Sequence, residues 1–311
     1  MTFILGVNLS DKIYLAADSM ISHKVNGAYK PAGYCVKLIS MAVEGQELSS
    51  AFSCMFSGNK FFIDYIFTKI DYALSKRKLS TDINELISQI DPFMKQIIPK
   101  YHGSASRIAK FIFAGCSNAP NSVKHFNLEN LNNVLGPQAG HIDDINAVHG
   151  IQYGFLPDIP DQKIFSYVID ERTNQFGIEE IGEMYSIICG GSKNLTKQEK
   201  YAILRHFLNK RDEKNESKDI INFLRNQFSD SIGGAVTLGV IDKQKRLIYY
   251  GYDIDRSNGI HHKNWSLKLD NRGLIATDPQ GKEYNLVDGF YNSLNKKDGN
   301  NLELFLNVNK N

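Results

Sequence analysis

The smallest catalytic unit this sequence offers is a single residue that carries both a hydroxyl nucleophile and a base. It stands at Met1-Thr2. Methionine is trimmed when the second residue is small, and threonine is small enough. Thr2 would then open the chain with its hydroxyl and a free amine on adjacent atoms, and the amine can act as general base for the hydroxyl. An α-amino group titrates near roughly 7.7–8, so a useful fraction is unprotonated around neutrality. A lysine cation nearby would lower that value by like-charge repulsion. Other signatures are missing: there is no GxxxxGKS/T loop, no GxGxxG after a strand, no GxSxG elbow and no HExxH. His261-His262 is the one histidine pair, and neighbours on a strand face opposite ways, so a joint metal site is not expected. His141 with Asp143 and Asp144 reads as a solvated loop rather than a cation site.

A residue-2 nucleophile needs a buried strand at the start of the chain. Phe3 to Leu9 is apolar on both parities (Phe3, Leu5 and Val7, but also Ile4), which predicts a strand buried on both faces. Ser10-Asp11-Lys12 is a short polar turn, and Ile13 to Ala17 returns as a second apolar strand, so the two read as an antiparallel hairpin. That geometry sets Asp18 beside residue 2. A buried carboxylate there would need a cation such as Lys37. Further strands are expected at 35–43 and 50–56. Polar positions Asp64, Thr68, Asp71 and Ser75 then mark one solvated face of a helix over 61–74. Ile83, Leu86, Ile87, Ile90, Phe93, Met94 and Ile97 mark a second helix, with Ser80 or Thr81 as N-cap and Pro92 kinking or restarting it.

The alternation continues along the chain. Strands are expected at 108–116, 165–170 and 185–189. Thr196 and Glu199 form a capping box before a helix carrying Tyr201, Leu204 and Leu208. Ser217 is the expected cap of a further helix carrying Ile220, Ile221, Leu224 and Phe228. Strands resume at 235–241 and 247–252. Antiparallel strand blocks separated by helix pairs suggest two sheets with helices outside. Residues 117–162, rich in Asn, Gly and Pro, read as a long insertion, either surface loop or functional lid. From about 255 to 311 the chain is polar, with short strands at 265–269 and 273–277 and an end expected to be mobile.

Composition narrows the function classes. Lys plus Arg is 36 against 34 for Asp plus Glu, a formal charge of +2, which argues against a dedicated nucleic-acid binder. A 42% apolar fraction over 311 residues supports a sizeable core and excludes a wholly disordered chain. No run approaches the roughly 18 apolar residues of a membrane span, and no signal peptide is visible at the start. Cys35, Cys54, Cys116 and Cys189 are scattered without a CxxC pair, which reads as four reduced, buried thiols in a cytoplasmic protein.

The phrase Thr2-Phe-Ile-Leu-Gly-Val, then Ile-Tyr-Leu-Ala-Ala-Asp18-Ser, then Lys37-Leu, resembles the opening of a proteasome β-subunit, a member of the N-terminal-nucleophile (Ntn) hydrolases. Later motifs fall in matching order over about residues 2–254. Ser57-Gly58-Asn59 precedes a helix, Phe111-Ile-Phe-Ala-Gly115 ends an apolar strand in Ala-Gly, and Lys163 to Asp170 ends a strand in Asp. Cys189-Gly-Gly-Ser192 is similar to the family's Gly-Ser turn, and Asp230-Ser-Ile-Gly233-Gly234 to its Ser/Gly-Gly turn.

The resemblance implies an α+β fold, a four-layer αββα sandwich over residues 1–254, with an insertion near 117–162 and an extension over 255–311. It implies Thr2 as nucleophile and, through its amine, base. Lys37 would tune that amine and Asp18 would orient Lys37. The backbone N–H of Met55 would be the oxyanion donor, and Ser192 with Asp230 or Ser231 would hold amine and hydroxyl. The implied reaction is amide hydrolysis through an acyl-threonine ester, without cofactor or metal. Implied partners are a peptide or unfolded-protein substrate, further copies of the chain in a ring or helix, and a separate unfoldase. No nucleic acid and no membrane are called for. No propeptide is expected before Thr2, as in bacterial proteasome-like proteins.

The chain also departs from the family. Asp18 and Lys37 lie 19 apart, slightly further than usual, Met55 stands for a glycine and would narrow the pocket, and Ile232 stands where a serine is usual unless Ser231 shifts into that place. Taken residue by residue, Asp18 also fits a turn carboxylate, Lys37 a solvated strand-end lysine, Ser192 a turn cap and Gly233-Gly234 mere tight packing. A non-catalytic shell or scaffold and a small-molecule amidase with the insertion as lid are the rival readings.

Overall fold

Apolar side chains on both parities fix the first strand. All six residues of Phe3–Asn8 (β1) are buried, and Lys12–Asp18 (β2) pairs with it antiparallel, Ile4 opposite Ala17 and Asn8 opposite Ile13. The structure is a computed structural model. It describes residues 2–9, 12–35, 37–41, 52–117, 162–183, 185–191, 195–210, 213–234, 236–242, 247–249, 260–262, 265–270, 273–277 and 280–285. Elements then follow in chain order. Met20–Val25 (β3) and Ala28–Tyr34 (β4) form a hairpin, followed by Leu38–Met41 (β5) and Phe52–Gly58 (β6). Helices Lys60–Ser75 (α1) and Ile83–Ile97 (α2) come next. Ile108–Cys116 (β7), Gln162–Asp170 (β8), Gln175–Gly182 (β9) and Ser186–Gly191 (β10) are strands. Helices Lys197–Lys210 (α3) and Glu213–Arg225 (α4) precede Val236–Asp242 (β11) and Leu247–Tyr249 (β12). Ile260–His262, Trp265–Asp270, Gly273–Thr277 and Glu283–Asn285 (β13 to β16) form a small antiparallel sheet of their own.

Mixed helix and antiparallel sheet make the fold α+β. The first sheet has the order β10-β1-β2-β11-β12 and the second β5-β6-β7-β8-β9. Strand parity divides the core three ways. Phe3, Leu5 and Val7 join Tyr14 and Ala16 in a cluster with Leu204 of α3 and Leu224 of α4. Phe111, Phe113, Phe165 and Tyr167 join a cluster with Ile66 of α1 and Leu86 of α2. The intervening positions of both sheets meet each other: Ile4, Leu15 and Ala17 pack with Met55, Ile112 and Ile164. Among the described residues no helix is long and apolar enough to cross a membrane.

Several expectations change in detail. Pro92 sits inside α2, which runs unbroken because Ile83, Leu86, Ile90, Met94 and Ile97 are all buried on one face, and that outweighs one missing backbone bond. Its N-cap is Asp82, whose carboxylate accepts from the N–H groups of Asn84 and Glu85, rather than Ser80 or Thr81. Helix α4 starts at Glu213, so Ser217 lies within it. The Thr196–Glu199 box forms as expected, with Glu199 N–H donating to Thr196 Oγ1 and Thr196 N–H to Glu199 Oε2. The β3–β4 hairpin and strand β9 had no counterpart in the sequence reading. Most of the 117–162 insertion, with His141, Asp143 and Asp144, lies outside the described residues, as does much of 255–311.

Candidate active site

Antiparallel register brings the start of β1 to the end of β2. Ile4 faces Ala17, so Phe3 faces Asp18, and the Phe3 N–H donates to Asp18 Oδ1 at 2.9 Å. Lys37 comes from the other sheet. It directly precedes β5, and its carbonyl accepts the Phe56 N–H at 3.2 Å. From there its side chain crosses to the first sheet. The ammonium donates to Thr2 Oγ1 at 2.8 Å, to Asp18 Oδ1 and Oδ2 at 3.1 and 3.0 Å, and to the Met20 carbonyl at 2.6 Å. Thr2 is 8% exposed, Asp18 0% and Lys37 3%, so bulk water hardly screens these contacts.

An ammonium has three N–H groups. Here Thr2, Asp18 and Met20 take them all, which makes Lys37 a saturated donor. It can stabilise negative charge on Thr2 Oγ1 but has no lone pair to offer as base in this state. Asp18 accepts from Lys37, from Phe3 and from the Gly233 N–H at 3.3 Å. Burial pushes its carboxyl above the ordinary range, against the pull of Lys37 and the two backbone donors. The same burial lifts the neighbouring Cys35 thiol to about 11, despite the Lys37 cation. The cluster's one carboxylate is matched by the lysine, so no negative charge is left over to hold a metal ion.

Glycine is needed where the end of β10 meets Thr2. Gly191 ends β10 opposite Phe3 with φ of +115°, and a Cβ built on it would lie 1.6 Å from the Thr2 carbonyl oxygen. Gly233 and Gly234 are placed as closely. The Met20 N–H donates to Gly233 O at 3.0 Å, and a Cβ on Gly234 (φ +81°) would lie 2.5 Å from Ser19 Oγ.

The structure therefore brings together Thr2, Asp18 and Lys37. Ser231 is buried, but its hydrogen bonds run to Ser229 and Ser22. Asp230 is exposed in the same turn. Ser192 lies outside the described residues. Met55 sits within β6, opposite Leu38 on one side and Ile112 on the other, with its side chain buried between the sheets. Since the next N–H, that of Phe56, goes to β5, antiparallel alternation turns the Met55 N–H towards β7. The sequence reading missed the Met20 carbonyl, the Gly233 N–H and the Gly191 contact. For the two glycines the signal was present in the paired glycines themselves; a backbone carbonyl leaves none.

No protein-family model matches the sequence, and no curated protein matches it. Solved structures with overlapping chain paths include Anbu (ancestral beta-subunit) from Yersinia bercovieri, at 9% identity over 79% of this chain and 86% of that one, with a TM-score of 0.49. The Anbu complex from Pseudomonas aeruginosa, described as a helical assembly, matches at 11% identity over 80% and 85%, with a TM-score of 0.49. Anbu from Hyphomicrobium sp. strain MC1 matches at 10% identity over 79% and 84%, with a TM-score of 0.41. These values describe a partial overlap of chain paths and assign no activity.

Proposed function

We propose that the chain is a threonine-type amide-bond hydrolase, a peptidase on a four-layer αββα Ntn-like body, with Thr2 exposed by loss of Met1. The observation that carries this is the 2.8 Å hydrogen bond from the buried Lys37 ammonium to Thr2 Oγ1. A lysine with no free donor and no lone pair leaves the proton of Thr2 Oγ1 to another base. The α-amine of a trimmed Thr2 is on the adjacent carbon and next to a cation that favours its neutral form. In the first half-reaction the amine takes the hydroxyl proton and Oγ1 attacks the substrate carbonyl. The Thr2 α-amine, now protonated, then gives that proton to the departing nitrogen, leaving an acyl-threonine ester. In the second, the amine takes a proton from water, the hydroxide adds to the ester, and Oγ1 leaves with a proton. Ser192 and either Asp230 or Ser231 would hold the amine. Peptide or unfolded-protein substrate, self-assembly and a separate unfoldase follow from the sequence resemblance. The four buried free cysteines accord with action in the cytoplasm.

One observation favours a second reading, a non-catalytic shell or scaffold protein. The Met55 N–H could serve as oxyanion donor only by leaving the β6–β7 ladder. Intact mass and an electrophile separate the two. Loss of Met1 and addition of a β-lactone at Thr2, absent in Thr2→Ala, are expected for the hydrolase. Purified protein that keeps Met1 has no base, and the hydrolase reading fails.

A further inference from the structure

Outside the Thr2 cluster, and among the described residues, one cation stands on the face that the second sheet turns to the first. In β7, Ala109, Phe111 and Phe113 belong to the core under α1 and α2, whereas Ile112 and Ala114 belong to the core between the sheets. Lys110 has the parity of Ile112. Its stem runs against β10: a Cβ built on Gly190 would lie 2.8 Å from Lys110 Cδ. The next residue is Gly191, which packs on the Thr2 carbonyl. Across the β6–β7 ladder Lys110 faces Ser57, which shares the inter-sheet face with Met55 and is 5% exposed. Lys110 and Ser57 therefore stand at the same end of the space between the sheets as Thr2.

The Lys110 ammonium pairs with Glu179 Oε2 at 2.5 Å. The same oxygen accepts the buried Ser166 Oγ–H at 3.3 Å. Of the three ammonium N–H groups, one goes to Glu179, and among the described residues nothing takes the others. Lys110 is 16% exposed, so most of its stem is sheltered from water. A single ion pair of this kind, partly open to water, contributes little to stability. Gly190, with no Cβ, gives the stem its room.

We propose that Lys110, with the Ser57 hydroxyl beside it, is a subsite for a carboxylate carried by the substrate next to the amide bond that is cut. The proposal rests on the reading of Thr2 as nucleophile. Glu179 and Ser166 hold the ammonium in place, and its two remaining N–H groups meet the incoming anion. The substrate class is then an amide whose carboxylate comes from an acidic side chain or from a free chain terminus.

Fluorogenic amides that differ only in Glu or Gln at that position test the side-chain source, and a free terminal carboxylate against its carboxamide tests the other. For one of these pairs the anionic member should show a kcat/KM about tenfold or more above its neutral partner. In Lys110→Met the ratio should fall towards one, and in Lys110→Arg it should recover in part. Equal cleavage within both pairs, or a ratio unchanged in Lys110→Met, overturns the subsite. Absence of any cleavage together with absence of a β-lactone adduct is instead the failure of the Thr2 reading. Calorimetry on the intact chain then decides the subsite alone. N-acetylglutamate binding that N-acetylglutamine does not reproduce, and that Lys110→Met removes, sustains it; equal or absent binding of the two overturns it.

Discussion

Replacing Asp18 by Asn keeps the shape of the buried cluster and removes its charge. In the native chain the two Asp18 oxygens accept from the Lys37 ammonium, the Phe3 N–H and the Gly233 N–H. An amide has one accepting oxygen, so its NH2 group must face at least one of these donors. Lys37 is left as a cation 3% exposed, without its counter-charge. Removing one partner of a buried pair costs about 3–5 kcal/mol. Asp18→Asn is expected to lower stability by about that amount, and Lys37→Met by a similar amount because it strands the carboxylate. The double variant strands neither charge, and its loss should fall short of the sum by about 2 kcal/mol or more. Urea unfolding of the four proteins, read as midpoint shifts at constant slope, measures this coupling. If each single change costs under about 1 kcal/mol and the two add, Asp18 and Lys37 are not a buried pair and the geometry of the site is wrong.

Gly191→Ala should abolish β-lactone addition at Thr2 and destabilise the chain by several kcal/mol, because the new methyl meets the Thr2 carbonyl. Gly27→Ala is the control: φ is +84° but nothing lies within 4 Å, so a loss of about 1–2 kcal/mol by thermal melting is expected. Cys35 titrates at about 11 in the fold against 9.0 for the free thiol. At Cys35 the native chain thus holds the proton where the unfolded one has lost it, so this thiol's contribution is full below pH 9 and is lost as pH rises through 11. The Cys35 share is about 2–3 kcal/mol, which Cys35→Ala should remove from the alkaline limb of a stability–pH curve. All four buried cysteines should resist a thiol reagent at pH 8 in the native state and react together in denaturant. Ile112→Ala, at a fully buried position between the sheets, should cost about 2–5 kcal/mol in urea.

Much of the body was legible because burial on both faces leaves a mark that single-sided strands do not. Phe3, Ile4 and Leu5 announce a strand with a core above and below, and both cores are there. The helix pairs declared themselves through period and, for α3, through the Thr196–Glu199 box. The β3–β4 hairpin was missed although Asn26-Gly27 is a strong turn signal. Both residues take positive φ, 50° and 84°, as the tight hairpin turn needs. The flanking strands are half-buried or exposed with no alternating buried face, so hydrophobic alternation does not reveal them. At the site, Thr2 was legible from its type and position and Asp18 from the hairpin, while the role of Lys37 came from the resemblance. The direction of the Ser231 side chain, whose hydroxyl lies against Ser229, was not legible, because one residue along a turn redirects a side chain and a turn has no period to read.

Lys37 grows from one sheet and is fastened in the other. Its contacts of 2.6 to 3.1 Å leave almost no slack. A slide of one sheet past the other by about an ångström would carry them beyond hydrogen-bonding range. The lysine is therefore a latch as well as a charge. Whatever loosens the seam between Ile4 and Ile112 would part Lys37 from Thr2 and Asp18, and whatever clamps that seam would hold the three together.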